Sequence, residues 1–364
     1  MLNSKRLKVL VAPLDWGLGH ATRCIPIIKA LIQKDYEVII AAEGRQKNLL
    51  QEEFSSLQFI DLPGYSIEYG NKKQSLTLKV ILQIPKILIQ IKREKRWLNN
   101  YLRKEGLDLI ISDNRFGLSS QHIYSVFITH QLYIETPFGK MISRILSALN
   151  YKFINRFSAC WIPDTENDYS LAGILSHPEK LPAIPIRYMG WLTRFIKLDL
   201  PIIKESLLII ISGPEPQRSF FEKKLVSQIK NYRGKVTFIR GLPGNNEVPV
   251  VSPNVFVFNH LSTEALNRVI CESEFVISRS GYTTIMDIVS LEKKCILIPT
   301  SGQPEQEYLA KYLFGKKIIF SIKEDDFVLH ECLDTAKEFP FMLQKQNNTS
   351  LLADAIDELS SLIG

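Results

Sequence analysis

Asp15-Trp16-Gly17-Leu18-Gly19-His20-Ala21-Thr22-Arg23 sets a histidine directly behind two glycines, between an apolar run and residues with helical spacing. Glycines let the backbone turn tightly and approach a ligand closely, and a helix N-terminus favours an anion or a developing negative charge. Histidine has the pKa to take a proton from a hydroxyl near neutral pH when a carboxylate orients it. Asp113 closes a later apolar run and is expected at the same carboxyl edge as His20, where it would set the imidazole tautomer. The plainer alternatives are a histidine that caps its loop and an aspartate that caps the turn after it. His130, at the end of another apolar run, is a candidate for meeting an acceptor or, equally, for core packing. The glycine loop is not a dinucleotide fingerprint: no third glycine follows, and Glu43 is the only acid placed to hold a ribose.

The second half holds three further loops. Ser212-Gly213-Pro214-Glu215-Pro216-Gln217-Arg218 lies between a strand pattern and a helix pattern, so small residues, helix amides and Arg218 suit a phosphate. Pro214 and Pro216 remove two amide donors and weaken that cradle. Ser278-Arg279-Ser280-Gly281-Tyr282-Thr283-Thr284-Ile285-Met286-Asp287 reads as strand, glycine turn and helix start. Its amides suit a diphosphate, with Arg279, Ser280, Gly281 and Thr283 around it and Asp287 as a bidentate acceptor for two ribose hydroxyls. Pro299-Thr300-Ser301-Gly302-Gln303-Pro304-Glu305-Gln306 offers a carboxylate beside an amide, a pair that binds adjacent sugar hydroxyls. The alternative is that these are ordinary polar residues of a helix start.

These loops need a scaffold. Continuous apolar runs at Lys8–Pro13, 37–42 and 107–112 alternate with helical spacing, as do 207–211, 235–240, 275–278 and 294–299. Such alternation predicts parallel sheets covered on both faces. The 364 residues suit two domains. The reading is α/β, two doubly wound Rossmann-like halves with ligands at the carboxyl ends of strands and a cleft between the halves. The expected bounds are 1–194 for the first domain, 195–205 for a linker, 206–345 for the second domain, and 346–364 for a terminal helix packing back on the first domain.

Five scattered cysteines without a CxxC pair predict reduced, buried thiols, and no clustered ligands predict a metal site. No signal-peptide pattern and no long uncharged apolar stretch is present, so the expectation is a cytoplasmic protein. The net charge of +7 is concentrated in 72–104, where ten lysines and arginines face one acid, Glu94. Charge confined to one apolar-rich segment argues against a nucleic-acid partner. It suits an anionic membrane at its inner face, or else a core helix with a solvated basic side.

At these residues the chain resembles GT-B glycosyltransferases, and within them glycosyltransferase family 28, the group containing the peptidoglycan N-acetylglucosaminyltransferase. The resemblance runs through nearly the whole order of elements and is most specific over 275–309. Asp287 stands at the family's ribose-binding acid, more often Glu. Gln306 stands at its donor-sugar glutamine, and Glu305-Gln306 is similar to the acid–glutamine pair of plant-type transferases. His20 stands at the catalytic histidine and His130-Gln131 at a His-rich acceptor loop.

The resemblance implies a UDP-sugar donor, UDP-N-acetylglucosamine among the candidates, and a lipid-linked or glycan acceptor. It also implies no cofactor beyond the co-substrate and no metal. Gly19 is then expected against the nucleotide sugar, with Ser212, Gly213 and Gln303, and Gly17 with His130 at the acceptor. The loop around Ser212 is less glycine-rich than the family's. The first loop, through Cys24, also resembles nucleotide-sugar hydrolases of the same fold, so hydrolase or epimerase is the second enzyme reading. A nucleotide-sugar-binding scaffold at the membrane surface is the non-enzyme one.

Overall fold

The computed structural model describes residues 6–65, 83–213, 215–345 and 350–363. The part of the basic segment at 72–82, and Pro214, lie outside them. The chain divides into two compact units, the first comprising residues 6–65, 83–192 and 350–363 and the second residues 193–213 and 215–345.

The first unit is built on a seven-stranded sheet in the order β3-β2-β1-β4-β5-β6-β7. The strands are β1 (Lys8–Pro13), β2 (Glu37–Ala41), β3 (Gln58–Ile60), β4 (Leu109–Asp113), β5 (Tyr124–Ile128), β6 (Ala159–Ile162) and β7 (Ile186–Tyr188). Every pairing is parallel. Burial on both faces explains why β1 and β4 read as unbroken apolar runs. Among the described residues its helices are α1 (Leu18–Gln33), α2 (Gly44–Glu53), α3 (Ile84–Leu102) and α4 (Lys140–Ile154), with the final helix of the chain given below. Helix α1 survives an internal proline, Pro26. Ile25, Ile28 and Leu31 are fully buried, at roughly 1.5–3 kcal/mol each, which outweighs the roughly 3 kcal/mol that proline costs inside a helix.

The second unit carries a six-stranded sheet, order β10-β9-β8-β11-β12-β13, also all parallel. Its strands are β8 (Ile203–Ile210), β9 (Val236–Ile239), β10 (Val255–Phe258), β11 (Ser273–Ser278), β12 (Cys295–Leu297) and β13 (Phe320–Ser321). Its helices are α5 (Gln217–Ile229), α6 (Thr263–Glu272), α7 (Tyr282–Ser290), α8 (Pro304–Gly315) and α9 (Leu329–Glu338). One core runs through this unit, with Phe221, Phe238, Phe275 and Phe327 buried among the strand aliphatics. Strand β8 starts four residues before the apolar run that marks it in the sequence: Ile203 pairs with Ser273 ahead of a register shift, and Ile203, Lys204 and Glu205 remain exposed.

The final helix, α10 (Leu351–Ile363), packs on α1 in the first unit. Ala355, Ile356 and Leu359 face inward, Tyr36 Oη lies 2.7 Å from Ser360 Oγ, and Lys34 pairs with Asp357 at 2.5 Å. The two sheets share one device: strand order reverses between β1 and β4, and again between β8 and β11. In doubly wound sheets, loops at that reversal leave a crevice at the strands' carboxyl ends, the usual place for a ligand.

Candidate active site

Pro13 at the end of β1 pairs with Asp113 at the end of β4, so both strands finish level at the reversal. Gly17 caps α1 with φ 81°, a left-handed conformation that glycine adopts without strain. His20 is therefore in the first turn of α1, and its Nδ1 lies 3.2 Å from Asp113 Oδ1. The expected pair is brought together. Asp113 is wholly buried, and no solvent competes for its oxygens.

Arg23, one turn further along α1, completes the cluster. Its Nε donates to Asp113 Oδ2 at 2.7 Å and its Nη2 to Asp113 Oδ1, a two-pronged grip on the carboxylate. Nη2 also lies 2.9 Å from His20 Nδ1, and Nη1 lies 3.3 Å from His130 Nδ1. The Cys24 thiol points at Asp113 Oδ2 from 3.7 Å. His130, expected either at an acceptor or in core packing, is a buried ring beside the Arg23 guanidinium. Its place follows from β5 finishing beside β4, one strand further into the sheet.

Burial disfavours the charged imidazole, and the Arg23 charge adds to that. The His20 pKa is lowered despite the opposing pull of Asp113. Burial alone would raise the Asp113 carboxyl, but Arg23 and then His20 hold it down at about 2. The site therefore contains a neutral imidazole, a carboxylate ionised throughout the working pH range, and a guanidinium that offsets it. His20 Nδ1 has two suitors: Asp113 accepts its proton in one tautomer, and Arg23 donates to its lone pair in the other. Only the first leaves Nε2 with a lone pair for a substrate proton.

In the second unit β8 and β11 finish level, with Ile210 paired to Ser278. Ser212 and Gly213 follow β8, and Gly213 has φ 114°, again a glycine conformation. Gly281 is different. Its φ is −74°, and a Cβ there would meet only Thr284 Oγ1, at 4.0 Å. Neither backbone nor packing requires glycine; what its absent side chain leaves open is the approach to the first turn of α7, where Thr283 sits.

Ser280 Oγ donates to the Gln306 carbonyl at 2.9 Å and so ties this loop to the one after β12. Within that second loop, Gln306 Oε1 accepts from the Thr300 amide at 2.9 Å and its Nε2 donates to Gln303. The Gln306 amide braces its own loop. Gln303 caps α8, and Glu305 lies in that helix's first turn, favourable to the helix dipole. Asp287 accepts from Thr193 Oγ1 at 2.7 Å. Burial raises its carboxyl to about 6, against the Arg194 charge and the Thr193 bond, which lower it.

Arg218 and Arg279, both expected at a diphosphate, make contacts within the second unit. Arg218 is buried and committed to Glu215 and Glu222, with a further bond to the Arg240 carbonyl at 3.1 Å. Arg279 is also internal, stacked on Phe221 with its guanidinium carbon 3.8 Å from the ring centroid. It pairs with Glu324 at 2.8 Å and holds the carbonyls of Ile298 and Pro299. A buried cation needs its own carboxylate; the Arg218 guanidinium is fully engaged, whereas Arg279 keeps one buried donor, Nη2, without a partner.

Residues 222–359, which contain α7 and α8 with both loops, match the glycosyltransferase family 28 C-terminal domain. The chain has the fold of GT-B glycosyltransferases, and its second unit carries a family 28 C-terminal domain. An uncharacterized glycosyltransferase of Methanosarcina acetivorans is 24% identical over 377 residues, spanning 96% of this chain and 95% of that one. Among solved structures, the glycotransferase of kitacinnamycin superposes with a TM-score of 0.65 at 11% identity, covering 99% and 96% of the two chains. Arabidopsis thaliana UGT89C1, solved in complex with UDP-L-rhamnose, gives 0.64 at 11% identity, covering 99% of each. At these identities the superpositions speak to the fold.

The main site residue that sequence reading missed in this transferase is Arg23. Its signal was position: three residues after His20 in a helix, it shares the histidine's face. All five cysteines are buried with no disulfide, and burial pushes Cys160, Cys295 and Cys332 up to about 12. Among the described residues, no group of three His, Cys, Asp or Glu side chains could hold a metal ion, and no helix is long and apolar enough to cross a membrane.

Proposed function

We propose that this glycosyltransferase moves a sugar from a UDP-sugar to a hydroxyl of a lipid-linked or glycan acceptor, with His20 as general base. The observation that carries the base assignment is the 3.2 Å contact of His20 Nδ1 with the buried Asp113 carboxylate. With its proton on Nδ1 toward Asp113, the ring takes the acceptor hydroxyl proton at Nε2. The freed oxygen attacks the anomeric carbon, the bond from that carbon to the diphosphate breaks, and the electron pair leaves with UDP. A positioned base of this kind is worth about 10²–10⁴-fold.

The donor assignment has separate support. The family 28 match covers the two loops of the second unit, and Gly281 keeps open the approach to the α7 amides. Solved structures of the same fold hold UDP-L-rhamnose and UDP-glucose. Amides preset at a helix N-terminus stabilise a leaving diphosphate electrostatically, and this reading requires no metal, so chelation leaves turnover unchanged.

His20→Ala tests the proposal. Turnover falls by about 10²–10⁴-fold while UDP affinity, read by calorimetry, stays near wild type. Equal loss of UDP affinity would sink the base assignment. UDP release at full rate with no acceptor present would make water the acceptor and the enzyme a hydrolase.

A further inference from the structure

Thr193 follows Leu192, where the first unit gives way to the second, and the segment it opens is fastened to α7 at two points. Thr193 Oγ1 donates to Asp287 Oδ1 at 2.7 Å, within the helix. Lys197 pairs with Glu292 at 2.7 Å, just past the helix end. Between these points Phe195 is buried, and the Ile196 carbonyl lies 4.0 Å from Cys271 Sγ of α6. The residues that lead into the second unit therefore lie against the helix that carries Asp287.

The direction of the Thr193 hydroxyl is fixed. Its oxygen accepts the Phe195 amide at 3.1 Å, and its single hydrogen goes to Asp287, which as a carboxylate can only accept. The next residue adds a second donor, because the Arg194 backbone amide also bonds the Asp287 carboxyl. Two donors from consecutive residues set the plane of a group whose last torsion is otherwise broad. A carboxylate offers about four lone-pair sites. Thr193 and Arg194 take two of them and leave two, the number that a pair of ribose hydroxyls needs. Asp287 keeps part of its surface exposed, so a ligand can reach what is left.

We propose that Thr193 is a positioning residue for the donor: with the Arg194 amide it orients Asp287, so that recognition of the ribose depends on the segment joining the two units. This rests on Asp287 being the ribose acceptor. Without the hydroxyl the carboxylate is still present and still charged, but its plane is no longer set, and it holds one ribose hydroxyl in place of two. Discrimination between ribose and deoxyribose is lost, while contacts to the rest of the nucleotide persist. A hydroxyl that competed with the ribose for Asp287 would act with the opposite sign, since its removal would release an acceptor.

Calorimetry with UDP and with 2′-deoxy-UDP tests this at about pH 8, well above the Asp287 value of about 6, so that ionisation does not enter. The wild type prefers UDP by about tenfold, the size of a hydrogen bond to a charged group. Thr193→Val weakens UDP alone and brings the two affinities within about twofold. Thr193→Ser, which keeps the hydroxyl, restores the preference, and thermal unfolding confirms that both variants are folded. A Thr193→Val variant that weakens both ligands alike and keeps their ratio would show a merely structural role and overturn the proposal. So would tighter UDP binding by that variant, the mark of competition. Asp287→Asn tells the two assignments apart. If it removes the preference while Thr193→Val keeps it, the positioning role falls and the ribose acceptor stands. If Asp287→Asn keeps the wild-type ratio, the ribose acceptor falls and the positioning role with it.

Discussion

Arg23 holds both carboxylate oxygens of Asp113, and one of those oxygens is the one that faces His20. A carboxylate shared with a guanidinium orients an imidazole without giving it full electrostatic support. His20 is accordingly held neutral, its pKa lowered by burial and then by Arg23 against the pull of Asp113.

Removing the guanidinium tests that balance. In Arg23→Met the acid limb of the pH profile of kcat/KM moves upward, because the charge opposing the imidazolium is gone and Asp113 supports it alone. The wild-type limb lies below pH 6.5, the ordinary histidine value. The variant also loses about 3–5 kcal/mol of stability, as one partner of a buried pair stands alone. Arg23→Lys, which keeps the charge, restores the limb; an unmoved limb in the methionine variant contradicts the assignment.

Asp113 carries a stability signature of its own. Its folded pKa of about 2 lies below the ordinary 3.8, so it stabilises the fold above pH about 4. That contribution, about 2 kcal/mol, is lost as pH falls from about 4 to about 2. Denaturant titrations across this window show the loss in the wild type, and it is absent in Arg23→Met/Asp113→Leu.

Gly281→Ala separates folding from binding. The backbone there suits alanine and the space is open, so the fold is unchanged or gains about 0.4–1 kcal/mol. UDP affinity, measured by calorimetry, falls about tenfold, since the new methyl stands at the first turn of α7, where the diphosphate is proposed to bind. Undiminished affinity would move the diphosphate elsewhere.

In its proposed role as acceptor of two ribose hydroxyls Asp287 binds best when ionised, and burial holds its carboxyl at about 6. Donor KM therefore falls as pH rises through about 6, a dependence that Asp287→Asn flattens. Thr193→Val, which removes the 2.7 Å hydrogen bond that lowers this pKa, shifts the transition to higher pH. The fold responds oppositely: a carboxyl raised in the native state contributes stability that is lost as pH climbs from about 4 to about 6.

Much of this was legible in the order of residues. Strands buried on both faces are apolar along their length, so β1, β4, β8 and β11 announced themselves and implied two parallel sheets. Turn glycines at Gly17 and Gly213, and the placing of His20 and Asp113 at the ends of strands, followed from that. Helix α4 did not, because its outward apolar row and inward serines invert the pattern by which a core helix is recognised. Strands β6 and β13 and helix α9 were also missed; β13 is only two residues long.

Tertiary structure alone decided what each charge is for. Sequence supplies a guanidinium at 23, 218 and 279, all equally suited to an anion. Only the distances show Arg23 on Asp113, Arg218 on Glu215 and Glu222, and Arg279 on Glu324. Local spacing sets which helix or strand a side chain rides on, whereas the partner of a buried ion is chosen by contacts between residues up to 90 positions apart, and burying a charge without such a partner is too costly for the fold to tolerate.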